Sequence, residues 1–270
     1  MSLNLNWINP EGFSFNCFLL MERFQIRQML ESVSWYNEKG NWQYNMGVAL
    51  NANPAVRWYF EHKCPEYTNV VNEIISSAPA LTDSNEIRRA EIYILASVED
   101  WVIYTRPELM ETNCDFIRGW NKKRLFEMAN FSDKTVLDVG SGSGRLAFAA
   151  AEHAREVYAS EPVDTLREYI RNKITQQGIE NIRVSDGMAN SLPYPNDTFD
   201  IVMCGHVEVE VLEYTRVCKS GGWLIDCPGD SLRDMKLDSD AIKYGFEPMY
   251  YKGSFGKDVY RYRKQVFKPN

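Results

Sequence analysis

The stretch Val136-Leu137-Asp138-Val139-Gly140-Ser141-Gly142-Ser143-Gly144-Arg145-Leu146 holds the residue types that could bring a nucleotide-like ligand against the backbone. A β-branched apolar run ends in a glycine-rich turn, and the turn opens into the helical pattern Leu146–Ala151. Such a strand, turn and helix start admit a ligand closely because glycine has no Cβ and tolerates positive φ. The spacing is G-x-G-x-G; the dinucleotide fingerprint G-x-G-x-x-G would need glycine where this chain has Arg145. Glu161 follows the short apolar stretch Val157-Tyr158-Ala159, so a carboxylate is expected at the tip of a second strand. There it could take both ribose hydroxyls of an adenosine.

These residues need a framework, and the chain supplies it after Phe131. Helix 145–153 precedes strand 156–160, and helix 163–177 ends at Gly178. Strand 182–185, a long loop 187–197 and strand 199–204 follow. Helix 210–217, strand 223–227, a helix near 238–244 and two strands at 246–251 and 259–267 complete the pattern. Alternation of this kind implies an α/β fold, a Rossmann-like, doubly wound, mostly parallel sheet of seven strands with a terminal antiparallel hairpin. The first half lacks β-branched runs and reads as helices, so the domains expected are a helical extension, 1–130, and a sheet domain, 131–270. Asn53-Pro54 marks a helix start and Pro65 a break. One helix should run from Thr82-Asp83-Ser84 through Trp101-Val102 to a stop before Pro107, and another spans 122–128.

Four blocks in order resemble class I S-adenosylmethionine-dependent methyltransferases. Val136–Gly144 resembles the first motif of that family, and Ala159-Ser160-Glu161-Pro162 its acidic ribose position. Gly187–Pro195 with Asp197–Val202 is similar to the loop and fourth strand, and Tyr214–Ile225 to the helix, glycine turn and fifth strand. The resemblance implies S-adenosylmethionine as methyl donor, lying across the carboxyl ends of the first, second and fourth strands. It implies donor contacts from Gly140, Ser141, Gly142, Gly144, Glu161, Pro162, Gly187, Met188, Ala189, Cys204 and Gly205. Asp138 would fix the loop or the donor's amino group, or else only cap the following turn. Two departures stand out. Met188 occupies the commonly acidic adenine position, with Asp186 two residues earlier, and the stretch between His206 and Arg216 is short.

Methyl transfer from a sulfonium requires the acceptor to be held aligned and water excluded, so no nucleophile, metal or triad has to be visible. His206 closes the fourth strand and is the candidate general base; the plainer alternative is an imidazole bonded to loop backbone. Asp226, Asp230 and Asp234 read as turn and surface residues rather than a metal cluster. Aromatic residues crowd the helical half, mostly as expected core. Tyr104, Arg118 and Trp120 are the candidates there to reach the donor, where an aromatic face could meet the sulfonium. That half is expected to form the lid over the acceptor.

Of 270 residues, 44% are hydrophobic and 13% aromatic, enough for a substantial core. A net charge of −7 argues against a nucleic-acid partner held through phosphates. Arg261-Tyr262-Arg263-Lys264 reads as one solvated strand face. Six cysteines without a C-x-x-C pair argue against a disulfide framework and for a reducing cytoplasm. His62-Lys63-Cys64 lacks partners for a metal. No targeting signal and no apolar run of bilayer length is seen, so a membrane role is not expected. The expected function is therefore methyl transfer to a small-molecule acceptor. A donor-binding module without catalysis and an NAD(P)-dependent oxidoreductase are the alternatives.

Overall fold

A computed structural model describes residues 5–232 and 235–268; Asp234 lies outside them. The chain divides into two compact units, 1–113 and 114–270. The first unit is helical: α1 (Arg23–Glu31), α2 (Val33–Asn37), α3 (Trp42–Ala52), α4 (Pro54–Lys63), α5 (Thr68–Ser76), α6 (Ser84–Ser97), α7 (Glu99–Val102) and α8 (Met110–Asn113). Pro54 opens α4 at its first position, and the Asp83 carboxylate caps α6 through the N–H groups of Asn85 and Glu86. The long helix expected through Trp101 breaks at Val98, which leaves helical geometry. Just beyond, the buried Glu99 turns its carboxylate to accept from the N–H groups of Leu5 and Trp7. Trp42 and Phe60 are core, whereas Trp35, Tyr44, Trp58 and Tyr93 are exposed. The aromatic crowding is therefore only partly a core signature.

The second unit opens with α9 (Asp115–Arg118) and α10 (Lys123–Phe126). Then come β1 (Thr135–Val139), α11 (Arg145–Ala151), β2 (Glu156–Ser160), α12 (Asp164–Gln177), β3 (Ile182–Ser185) and β4 (Phe199–Cys204). The chain continues through α13 (Val211–Val217), β5 (Cys218–Asp226), α14 (Ser239–Lys243), β6 (Glu247–Lys252) and β7 (Asp258–Gln265). The strands form one seven-stranded sheet in the order β3-β2-β1-β4-β5-β7-β6, with β7 antiparallel to both neighbours. This is the expected α/β sheet. β1 is buried throughout because it is central and covered on both faces. Val136, Ile201, Met203 and Ile225 pack with α11 and α12, while Leu137, Val139, Val202 and Leu224 pack with Tyr214 and Val217 of α13.

The unit boundary falls at Asn113/Cys114 rather than at the expected 130/131, because residues after 113 belong to the sheet domain's core. Leu125 and Met128 are buried in the cluster under α11, and Trp120 and Phe126 pack against it. Contrary to a solvated face, Arg261 is 2% exposed. β7 is interior to the sheet, so the Arg261 Nη1 reaches the Arg124 carbonyl at 2.8 Å and Arg263 Nη1 the Met128 carbonyl at 3.1 Å. Asp230 is also buried rather than a surface turn; it accepts from the Tyr251 hydroxyl at 3.0 Å and from Ser254 N–H.

Gly229 lets the loop after β5 lie directly on α9: a Cβ there would sit 1.7 Å from the Phe116 carbonyl oxygen. Gly229→Ala should therefore cost on the order of 1–3 kcal/mol through forced displacement of one segment. Urea denaturation checks this, and an unchanged midpoint would show that α9 is not held at this place.

Candidate functional site

The tips of β1 and β2 carry the glycine turn and Glu161. Gly140, Gly142 and Gly144 have φ of +64°, +56° and +89°, the left-handed region that side-chain-bearing residues avoid. The turn is tied to its neighbours at both ends. Gly140 and Ser141 donate from their N–H groups to the Ser160 carbonyl at 2.8 and 3.2 Å. Ser141 Oγ donates to the Asp138 carbonyl at 2.9 Å, and the buried Asp138 carboxyl accepts from Ala147 N–H at 3.0 Å. Glu161, also buried, accepts from Gly142 N–H at 2.8 Å and from Val163 N–H at 2.9 Å. Burial raises both carboxyls to about 7, against the hydrogen bonds and the nearby arginines that favour ionisation. Asp138 thus holds the loop and the following helix, while Glu161 braces the turn from β2.

Pro162 continues from Glu161, and both carbonyls accept from Arg167 Nη1, at 2.7 and 2.8 Å respectively. Arg167 also pairs with Asp186 at 3.3 Å, which turns that carboxylate towards α12. Gly187 closes on the tip of β2, where a Cβ would meet Ser160 Oγ at 2.4 Å and Pro193 Cδ at 2.9 Å. Met188 is exposed and pairs with Ser191 across a small bridge, and Ala189 packs on the α13-side core. The loop containing them is braced by a pair that the sequence reading missed. Glu213 of α13 accepts from Leu192 N–H at 2.7 Å, and Arg216 donates to the Leu192 and Tyr194 carbonyls at 3.1 and 2.8 Å.

Cys204 and Gly205 end β4. The Cys204 thiol is buried and pushed well above its ordinary pKa by desolvation. Gly205 makes room for Arg145: a Cβ there would lie 2.6 Å from Nη2, which donates to the Cys227 carbonyl at 3.1 Å. Arg145 Nη1 is buried without a partner, and the guanidinium lies 4.6 Å from the Trp120 ring centroid. Trp120 and Arg145 line a groove of about 670 Å³ along α11 with Phe148, Glu152, Gln177 and Ile179. Trp120 therefore faces α11. Arg118 sits over the Phe255 ring at 5.5 Å, turned to the hairpin. Tyr104 belongs to the other unit, where it meets Trp101 edge-on at 6.0 Å.

His206 has φ +66°, and its Nε2 accepts from Gly229 N–H at 3.0 Å while its ring packs on Phe116 at 4.7 Å. Desolvation, then Arg145, lower its pKa to about 4. As placed, the lone pair a general base would use is engaged by backbone, which is the plainer of the two expected arrangements. Among the described residues, no cluster of three or more His, Cys, Asp or Glu could hold a metal, and no helix is long and apolar enough to cross a membrane. His62 stacks on Trp58 at 3.9 Å, and Cys64 is buried. All six cysteines are free thiols.

Residues 136–222 match the family described as methyltransferase domain. That match supports a class I S-adenosylmethionine-dependent methyltransferase core. The methyltransferase YcgJ of Bacillus subtilis is 33% identical over 98 residues, which cover 34% of this chain and 39% of that protein. A demethylmenaquinone methyltransferase of Deinococcus radiodurans is 32% identical over 117 residues, 40% of this chain and 48% of the relative. The chain thus spans about half or less of the length of these two relatives. A solved S-adenosylmethionine-dependent methyltransferase from Aquifex aeolicus aligns with TM-score 0.47 and 18% identity, covering 59% of this chain and 96% of the other.

The family's cofactor is S-adenosylmethionine, and the methyltransferase core fits it. Glycine at 140 and 142 gives the turn its positive φ, and Ser143 Oγ is buried there with no hydrogen-bond partner. Glu161 follows β2 beside the turn, with its carboxylate directed into it.

Asp226, at the end of β5, is half-buried rather than the surface residue expected. Burial raises it from 3.8 to about 7, with Arg145 opposing and Asp238 reinforcing the rise. Between those values the folded protein binds more protons than the unfolded chain, so this group lowers stability as pH rises to about 7. Asp226→Asn lacks that slope. Its stability relative to wild type should improve by roughly 1–3 kcal/mol between pH 5 and pH 8. Urea denaturation at the two pH values measures the gap, and an equal gap at both would mean that Asp226 titrates normally.

Proposed function

We propose that the protein transfers a methyl group from S-adenosylmethionine to a small-molecule acceptor. The observation that carries this reading is the turn Gly140–Gly144, held between Asp138 and Glu161 at the tips of adjacent parallel strands. Bound donor supplies a methyl activated by sulfonium. The chain's own residues bind, orient and exclude water. Gly140, Ser141, Gly142 and Gly144 are assigned to the methionine and ribose portion, where Ser143 has an unspent hydroxyl and Glu161 the remaining acceptor capacity of its carboxylate. Pro162, Gly187, Met188 and Ala189 are assigned to the adenosine end, and Cys204 and Gly205 to the methyl end. Relatives named for demethylmenaquinone support a small acceptor.

Within the sheet domain, α9 and the residues up to Trp120 are assigned the cover of the acceptor side. Phe116 meets His206 there, and Gly229 meets the Phe116 carbonyl. His206 is assigned to positioning this cover rather than to proton transfer.

Calorimetry with S-adenosylhomocysteine tests the donor site. Gly142→Val should abolish binding while the fold persists by circular dichroism, and undiminished binding by a folded variant would remove the turn from the site. Glu161→Ala should weaken binding at least tenfold, since hydrogen bonds to a charged group are worth about 1.5–3 kcal/mol each. The 2′-deoxy analogue separates ribose recognition from loop bracing. Equal affinity of wild type for both ligands would leave Glu161 with bracing alone.

A further inference from the structure

Among the carboxyls at or beyond the ends of β1, β2 and β5, three accept from strong donors. Asp138 takes Ala147 N–H, Glu161 takes Gly142 and Val163 N–H, and Asp230 takes the Tyr251 hydroxyl and Ser254 N–H. Asp226 differs. Among the described residues its hydrogen-bond partner is the weak donor Cys204 Sγ, at 3.9 Å.

Its place in the sheet is equally specific. Val139 is in register with Cys204, and Cys204 with Asp226. One row therefore crosses the strand ends from the residue before Gly140 to Asp226. Two strand spacings separate the ends of that row, about 10 Å. The donor turn stands at one end and a half-buried, lightly engaged carboxyl at the other.

We propose that Asp226 is the carboxylate that meets the methyl acceptor and takes up the proton it releases. The acceptor class is then a hydroxyl, phenol or amine bearing a hydrogen on the atom to be methylated. That atom bonds to the methyl carbon as the carbon–sulfur bond breaks, and its proton passes to Asp226. The electron pair of the broken bond stays on sulfur, which becomes a neutral thioether, so charge and protons balance. This inference rests on the donor reading above.

Cys204, Cys227, Tyr214 of α13, Arg145 of α11, Asp238 before α14 and Tyr262 of β7 are titratable and charged groups around Asp226. Arg145 favours the carboxylate, while desolvation and Asp238 oppose it, so the group is sensitive to one added charge nearby. The donor's sulfonium is such a charge, and S-adenosylhomocysteine lacks it. Protein labelled with carboxyl-¹³C aspartate is titrated by NMR in its S-adenosylmethionine and S-adenosylhomocysteine complexes, with Asp226→Asn assigning the resonance. Asp226 should titrate about one pH unit lower with the sulfonium present. Equal values in the two complexes would overturn the proposal.

If Asp226→Asn does not fold, Asp226→Glu assigns the signal by removing one aspartate resonance and keeping a carboxylate. Failure of wild type to bind either ligand would instead sink the donor reading, so the two failures are distinct.

Discussion

Three left-handed residues in a five-residue turn are held in place by two buried carboxyls. Asp138 pulls on Ala147 from β1, and Glu161 pulls on Gly142 from β2, so the backbone between them has little freedom left. A side chain at a left-handed position costs roughly 1–2 kcal/mol, which is why glycine recurs at every second residue here. Burying two carboxyls is also unfavourable, and the rise of both to about 7 expresses that cost. The hydrogen bonds they accept offset it. Everything assigned to donor binding depends on this arrangement, because the turn offers its backbone only while both braces hold.

The sheet translates that arrangement into a direction. Parallel strands β2, β1, β4 and β5 end together, so the row Ser160, Val139, Cys204 and Asp226 crosses their tips in register. At the first strands of the row the carboxyls are engaged with backbone. At the last, polar groups lie with unspent capacity: the Asp226 carboxyl and, on the opposite face, Arg145 with an unpartnered nitrogen. A buried guanidinium without an ion pair is costly. Here the Trp120 ring and the Cys227 carbonyl supply partial compensation. The groups already engaged hold shape, and those left unspent mark where recognition can vary.

Local patterns made most of this legible. β2, β3 and β4 follow from short apolar stretches, and the glycine spacing with Glu161 located the turn. What escaped the reading is tertiary. Arg261 alternates with apolar residues as an exposed charge would, yet β7 inserts between β5 and β6, and its arginines are drawn to carbonyls in and just after α10. Asp230 and Asp226 look like turn residues until the hairpin and the neighbouring strand are folded around them. The domain boundary shifted for the same reason. Short helices such as α10 have no long amphipathic period, so only their packing on α11 shows which unit owns them.

His206 shows how one residue can carry two incompatible readings until its backbone is known. A histidine at a strand end beside a cofactor motif suggests a base. Its φ of +66°, however, puts it among the few non-glycine residues in the left-handed region, which persist where the surroundings over-determine them. Here the determinants are visible: Gly229 donates to Nε2, and Phe116 packs on the ring. Desolvation and Arg145 keep the imidazole neutral at physiological pH, so the ring remains an acceptor for that backbone amide. The strain at His206 thus serves to fix the loop after β5 against α9, and that loop begins directly after Asp226. A residue chosen for proton transfer would need its lone pair free, whereas this one spends it on holding the backbone beside the carboxyl that has capacity to spare.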